Sequence, residues 1–266
     1  MDKLYEILGN NPPQYRGEAC ETIVSEDMVG IEIELENARA IGDLFYTSRL
    51  WNVVEDGSLR NNGRELVFKH PMGGTKIEEA LRQLETKLEG VDVEVNDRTS
   101  LHVHVDVRDL TPVELKTFMT LAVMFEEMLV KKTGDRSDNV FCCKFSTSDT
   151  QLEAISVIDT LRTGERIPEA LSNVQKYASV NMKPMFTFGS IEFRYHEGTL
   201  DIGRIRDWVN TLLSLKVFAR NFGQPSDELL NIFSAGTGED MMLHVLGQEL
   251  FGKYYDEHSA PLMNKG

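Results

Sequence analysis

Positive charge is what this chain has least to spare. Its 28 lysines and arginines face 43 aspartates and glutamates, a formal net charge of −15. That balance disfavours nucleic acid or an anionic membrane as a general partner. An anionic substrate would need local positive charge, from bound metal ions or clustered arginine. Cysteine is scarce as well. Cys20, Cys142 and Cys143 are odd in number and two are adjacent, which fits a reducing compartment better than a disulfide framework. No apolar run approaches the ~20 residues of a membrane span, and the polar, acidic first residues lack a secretory signal pattern. Internal repeats, low-complexity linkers and a glycine-rich phosphate loop are also missing. A cytoplasmic protein is expected, with one domain and its C-terminal helices over residues 28–266, behind an irregular lead-in at 1–27.

What the chain does have is four short runs that alternate apolar residues with carboxylates, histidines and an arginine. They are Gly30-Ile-Glu-Ile-Glu-Leu-Glu36, Arg64-Glu-Leu-Val-Phe68, Leu101-His-Val-His-Val-Asp-Val107 and Ile191-Glu-Phe-Arg-Tyr-His196. On a strand, same-face neighbours sit about 6.6 Å apart, two rises of about 3.3 Å. Glu32, Glu34 and Glu36 are therefore expected on one face, as are His102, His104 and Asp106, and Glu192, Arg194 and His196. The opposite face of each run is aliphatic or aromatic.

Strands are expected at about 28–36, 51–55, 64–69, 91–95 and 101–107, with a further pair over 177–182 and 186–196 joined around Lys183-Pro184. Helical spacing covers 75–88, and Thr111-Pro-Val-Glu114 opens a helix running to Val130 with a capping box and proline at its first position. Further helices are expected at about 149–163 with Asp149 as cap, 168–176, from the Asp201 cap through Phe218, 226–233 and 238–250. Tight turns such as Asp56-Gly57-Ser58 and Asn61-Asn62-Gly63 join strands directly. That points to an α+β fold, a mostly antiparallel sheet with helices packed on one face.

Several carboxylates on one sheet face repel unless something cationic lies between them. Two unit charges about 6.6 Å apart repel by about 2.5 kcal/mol at an effective dielectric of 20. Glu32, Glu34, Glu65 and Glu192 would therefore raise one another's pKa values or bind divalent metal. Oxygen-rich ligation with one imidazole suits Mg²⁺ or Mn²⁺ better than a tetrahedral structural zinc. Arg194 beside Glu192 can fork onto a phosphoryl oxygen. Each run alone has a plainer reading. Glu-x-Glu-x-Glu is commonly the wet face of a strand, and Glu-x-Arg a surface ion-pair ladder. Together they read as a metal-clamped nucleoside-triphosphate site.

The same runs, in the same order, resemble the amidoligases of the carboxylate–amine ligase superfamily, which share the fold of glutamine synthetase and γ-glutamylcysteine synthetase. The resemblance also takes in Asp56-Gly-Ser-Leu59, Arg136-x-x-Asn139 with Phe141-Cys142, Tyr177-x-x-Val180-Asn181 and His196-Glu-Gly-Thr-Leu-Asp201, about residues 28–210 in all. It implies a curved sheet with helices on its convex face. It implies Glu32, Glu34, Glu65, His102 and Glu192 as ligands of two Mg²⁺ or Mn²⁺ ions. Arg194 and Asn139 would contact ATP and His104 the nucleotide or the substrate, while Arg194 would grip phosphate and Arg136 approach the transferred phosphoryl group or the substrate carboxylate. Asp56, or Glu36, would take a proton from the amine. The implied reaction is ATP-dependent amide formation through an acyl phosphate, between a carboxylate and an amine that are small molecules or parts of peptides or proteins. Glu36 has no counterpart in the family and reads as plain surface; Phe141 replaces a tyrosine and Lys176 an arginine. Cys142 reads as packing or pocket wall. Two other classes stay open: a zinc hydrolase using the His-x-His strand, and a non-catalytic binding module on a ligase-like fold.

Overall fold

The computed structural model describes residues 1–14, 16–134, 142–235 and 238–254. Among these, the alternating runs form one sheet of six strands: β1 (Val29–Leu35), β2 (Trp51–Val54), β3 (Arg64–Phe68), β4 (Ser100–Asp106), β5 (Val180–Asn181) and β6 (Ser190–Glu197). Their order is β2-β3-β1-β4-β6-β5, and every neighbouring pair is antiparallel. The helices are α1 (Leu4–Leu8), α2 (Ile41–Phe45), α3 (Thr75–Leu88), α4 (Pro112–Met124), α5 (Glu126–Lys132), α6 (Asp149–Ser156), α7 (Glu169–Ser172), α8 (Ile202–Phe222), α9 (Asp227–Ala235) and α10 (Gly238–Tyr254). The fold is α+β. No helix among the described residues is long and apolar enough to cross a membrane.

One face of the sheet is largely apolar and covered. Ile31, Ile33, Leu35, Leu66, Leu101, Val103, Val105, Ile191 and Phe193 are all inaccessible to solvent. Phe193 meets Phe118 of α4 at 5.6 Å between ring centroids and Trp208 of α8 at 6.5 Å, both edge-on. The Trp51 indole donates to the Ala80 carbonyl of α3 at 3.0 Å. Three helices are thus fixed to one side, and each aromatic pair adds about 0.5–1.5 kcal/mol beyond its buried area. The start of α4 is the expected capping box. Thr111 N–H donates to the Glu114 carboxylate at 2.6 Å and Glu114 N–H to the Thr111 hydroxyl at 3.3 Å. Asp201 caps α8 by accepting from Arg204 N–H at 3.0 Å. That helix runs to Phe222, where Gly223 takes a left-handed conformation.

Several expected elements come out shorter. The long helix from residue 111 breaks at Phe125 (φ −95°, ψ 1°), giving α4 and α5. The cap of α6 is Ser148, Asp149 being its first residue, and a 3₁₀ turn at Ile158–Thr160 replaces its second half. Over 168–176 only the single turn of α7 forms. A 3₁₀ turn at Lys183–Phe186 trims the strand pair over 177–196 to β5 and β6. The strand expected at 91–95 is absent. Both edges of β1 are taken by β3 and β4, so only Glu94 bridges back, to Glu36 just past the strand's end.

One local irregularity alters the site. Val103 pairs with Phe193, but Leu101 pairs with His196, so β6 carries one extra residue opposite His102. The extra residue reverses the alternation after Arg194. His196 therefore leaves the face of Glu192 and Arg194, contrary to the period-two expectation. It is buried with its ring 5.9 Å from Trp208, and its Nδ1 donates to the Glu197 carbonyl.

Away from the sheet's exposed face, α8 carries a second group of buried charges. Lys216, 1% exposed, binds Asp27 at 3.0 Å and Asp109 at 2.8 Å. Arg220 binds the same two acids at 2.6 and 2.7 Å.

Candidate metal centre

The uncovered face of the sheet takes its side chains from alternate residues of β3, β1, β4 and β6, which lie side by side. Register decides which groups meet. Glu34 stands directly across from Glu65, Glu32 across from His102, and His104 across from both Gly30 and Glu192. Gly30 leaves room here: a Cβ in its place would stand 3.3 Å from the Cβ of His104, a tight contact that would press on the imidazole.

Glu32 lies between the two imidazoles, 3.3 Å from His102 Nδ1 and 3.2 Å from His104 Nε2. Glu192 Oε1 is 3.5 Å from His102 Nδ1. Arg194 Nη1 donates to that same oxygen, and Asn181 Nδ2 donates to Oε2 at 2.7 Å. The Ser100 hydroxyl donates to Glu34 and lies 2.8 Å from His102 Nε2. Ser190 Oγ is 3.1 Å from His104 Nδ1. Ser100, Asn181 and Ser190 have no expected role at the site from sequence, although Asn181 falls in one of the family-like motifs. Extending the alternation of β4 and β6 by one position would have found both serines, because each falls on the ligand face. Asn181 needs the pairing of β5 with β6, which sequence spacing does not reveal.

Electrostatics follows from this layout. Burial and then the charges of Glu32, Glu34, Asp56 and Glu192 push the Glu65 carboxyl up to about 8. Burial also works to raise Glu32, but hydrogen bonds from His102 and His104 outweigh it and hold its carboxyl far below the usual range. Burial works to lower His104, yet the bond to Glu32 and the charges of Glu32 and Glu192 leave it raised. Like charges directly opposite on a sheet, with Cβ atoms about 4.5–5.5 Å apart, destabilise it. The Glu34–Glu65 pair is therefore a fold-level cost that a bound cation would remove.

Two groups of ligand atoms converge, each within 4.8 Å: Glu32, His102 and Glu192, and Glu34, Glu65 and His102. Carboxylate oxygens with one imidazole are donors that hard divalent cations take, and the predicted ligands Glu32, Glu34, Glu65, His102 and Glu192 are the ones brought together. Neither group contains both histidines. His104 spends Nε2 on Glu32 and Nδ1 on Ser190, which weighs against a zinc site built on the His-x-His pair.

The remaining expected residues fall out differently. Asp56 is half-buried at the margin, close enough to raise Glu65, with Oδ1 accepting from Ser58 N–H at 2.7 Å. Glu36 is not plain surface. It is 2% exposed and bound by Arg60 N–H at 2.9 Å, Asn96 at 3.1 Å and Arg98 at 3.1 Å. The Arg60 amide above all, then Asn96 and Arg98, hold its carboxyl below the usual range despite burial. Arg98 also donates to the Ser58 carbonyl, so this clasp holds the Asp56 turn in place. Cys142 is buried with its thiol donating to the Arg194 carbonyl, a wall residue as expected. Arg136, Asn139 and Phe141 lie outside the described residues.

A family model described as "Putative amidoligase enzyme" matches residues 46–216, well over half of the chain. The match contains Glu65, His102, His104, Glu192 and Arg194, and β1 with Glu32 and Glu34 stands just ahead of it. No curated protein matches the chain.

Proposed function

The chain belongs to the amidoligase family, a family of ligase-type enzymes, and from that premise we propose that it joins a carboxylate to an amine at the expense of ATP. The observation that carries this reading is the convergence of four carboxylates and one imidazole, from four adjacent strands, on the face of the sheet opposite its helices. Glu32, His102 and Glu192 would hold one Mg²⁺ or Mn²⁺, and Glu34 with Glu65 a second. When bound, such ions supply the positive charge that a transferring phosphoryl group needs and that this acidic chain lacks.

The chain's own groups divide the remaining work. Arg194, paired with Glu192, offers a planar fork for a phosphoryl oxygen. Asn181 keeps Glu192 aimed while that fork turns away. The substrate carboxylate attacks the γ-phosphorus and expels ADP, and the amine then displaces phosphate from the acyl phosphate so formed. The amine has to arrive without its extra proton, and Asp56 at the margin beside Glu65 is the acceptor we assign. No protein nucleophile is needed. The substrates proposed are carboxylates and amines of small molecules or peptides in the cytoplasm, with no role for nucleic acid or membrane.

The test is phosphate release from ATP with Mg²⁺ or Mn²⁺, screened over amino acids, polyamines and peptides. Release that needs both an amine and a carboxylate is expected. Glu192→Gln, which keeps the side chain's shape beside Asn181 and Arg194, is expected to reduce it by about 10²–10³-fold. Undiminished release in that variant removes Glu192 from the site. A chain that binds neither metal nor Mg·ATP overturns the proposal.

A further inference from the structure

His102 lies within reach of both groups of carboxylates, yet its two ring nitrogens are not equivalent. Nδ1 faces Glu32 at 3.3 Å and Glu192 at 3.5 Å. Nε2 faces the Ser100 hydroxyl at 2.8 Å, and that hydroxyl also meets Glu34. A carboxylate has no hydrogen to give, so the hydroxyl hydrogen goes to Glu34. The Ser100 oxygen is then left as an acceptor toward the ring, so Nε2 keeps its hydrogen there; Nδ1, with only the carboxylates of Glu32 and Glu192 before it, is the nitrogen whose hydrogen a cation would replace. A nitrogen carrying hydrogen cannot ligate a cation.

We propose that Ser100 is a positioning residue that commits His102 to a single cation, the one shared with Glu32 and Glu192. Glu34 and Glu65 then hold the other through carboxylate oxygens alone. This rests on the metal reading given above and deepens it. The chain Glu34–Ser100–His102 is buried throughout, at 6%, 2% and 4% exposure, so water does not compete for these hydrogens. Ser100 and Glu34 lie on neighbouring strands, and the imidazole between them and Glu192 is locked in orientation as well as in tautomer. Partners of this kind, which orient a ligating histidine through its second nitrogen, typically contribute 10–100-fold to metal affinity.

Two measurements on the full chain decide it. In ¹⁵N-labelled protein, with the His102 ring assigned by comparison with His102→Gln, long-range ¹H–¹⁵N correlation should show Nε2 bearing hydrogen. Adding Mg²⁺ should shift Nδ1 and leave Nε2–H in place. Mn²⁺ titration followed by the loss of free-ion EPR signal should show Ser100→Ala binding about 10–100-fold more weakly than wild type. Ser100→Thr, which keeps the hydroxyl, should stay near wild type. A wild-type His102 with bare Nε2 overturns the assignment whether or not the alanine variant folds. Wild-type Mn²⁺ affinity in a folded Ser100→Ala protein overturns it while leaving the metal reading intact. Absence of Mn²⁺ binding by wild type overturns both.

Discussion

Beside α8 two acids, Asp27 and Asp109, meet two bases, Lys216 and Arg220; on the uncovered sheet face four glutamates meet one arginine and two imidazoles. Both groups are largely removed from water. In the first, each acid touches both bases. Burial works to raise Asp27, but Lys216 and Arg220 outweigh it and hold its carboxyl down at about 2. In the second, burial and neighbouring acids drive Glu65 up to about 8. A charge cluster that closes on itself serves the fold. One that is short of cations is arranged for something from outside, which is why perturbed carboxylates of this kind mark functional sites.

The largest effect that would sharpen the contrast is on stability. Lys216→Met leaves buried Asp27 and half-buried Asp109 with one base and is expected to destabilise the chain by about 3–5 kcal/mol in chemical denaturation. Mn²⁺ affinity of the folded variant should be unchanged. A variant of unaltered stability would mean that the α8 cluster is not structural.

Next is the acid limb of the stability profile. The Asp27 value is depressed in the folded chain, so its contribution of about 2 kcal/mol is complete above about pH 4 and lost as pH falls through about 2. Asp27→Asn should remove that part of the acid loss. An unchanged acid profile would break the assignment.

The last effect is a slope over several pH units, and it has the opposite sign. The Glu65 value is raised, so between about pH 4.5 and 8 the metal-free folded chain holds a proton that the unfolded chain has released. Stability is expected to fall with rising pH across that window, with a slope of at most about 1.4 kcal/mol per pH unit. Glu65→Gln should flatten it. A wild-type profile already flat there would show that the sheet cluster is compensated after all.

The sequence carried the ligand face well because strand alternation is local. Glu32, Glu34, Glu65, His102 and Glu192 could be placed from period two and one apolar face, and they converge. What it did not carry depends on partners. The extra residue of β6 that turns His196 toward Trp208 is visible only against β4. Glu36 looked like surface because its clasp comes from Arg60, Asn96 and Arg98, 24, 60 and 62 residues away. Val91, Val93 and Val95 alternate as a strand should, but both edges of β1, the strand they approach, are taken by β3 and β4. The pairing of Asp27 with Lys216 spans 189 residues and leaves no local pattern at all.

Strand order has a consequence for biosynthesis. Three ligand strands, β1, β3 and β4, are adjacent and complete once Asp106 has been added, but the fourth arrives only with Glu192 on β6. A nascent chain leaving the ribosome therefore holds three of the four strands of the proposed metal site while everything from Val107 to Ile191 is still being made. Capture of a cation at the Glu32–His102–Glu192 position would report that the last long strand has docked, a natural checkpoint on the completed sheet.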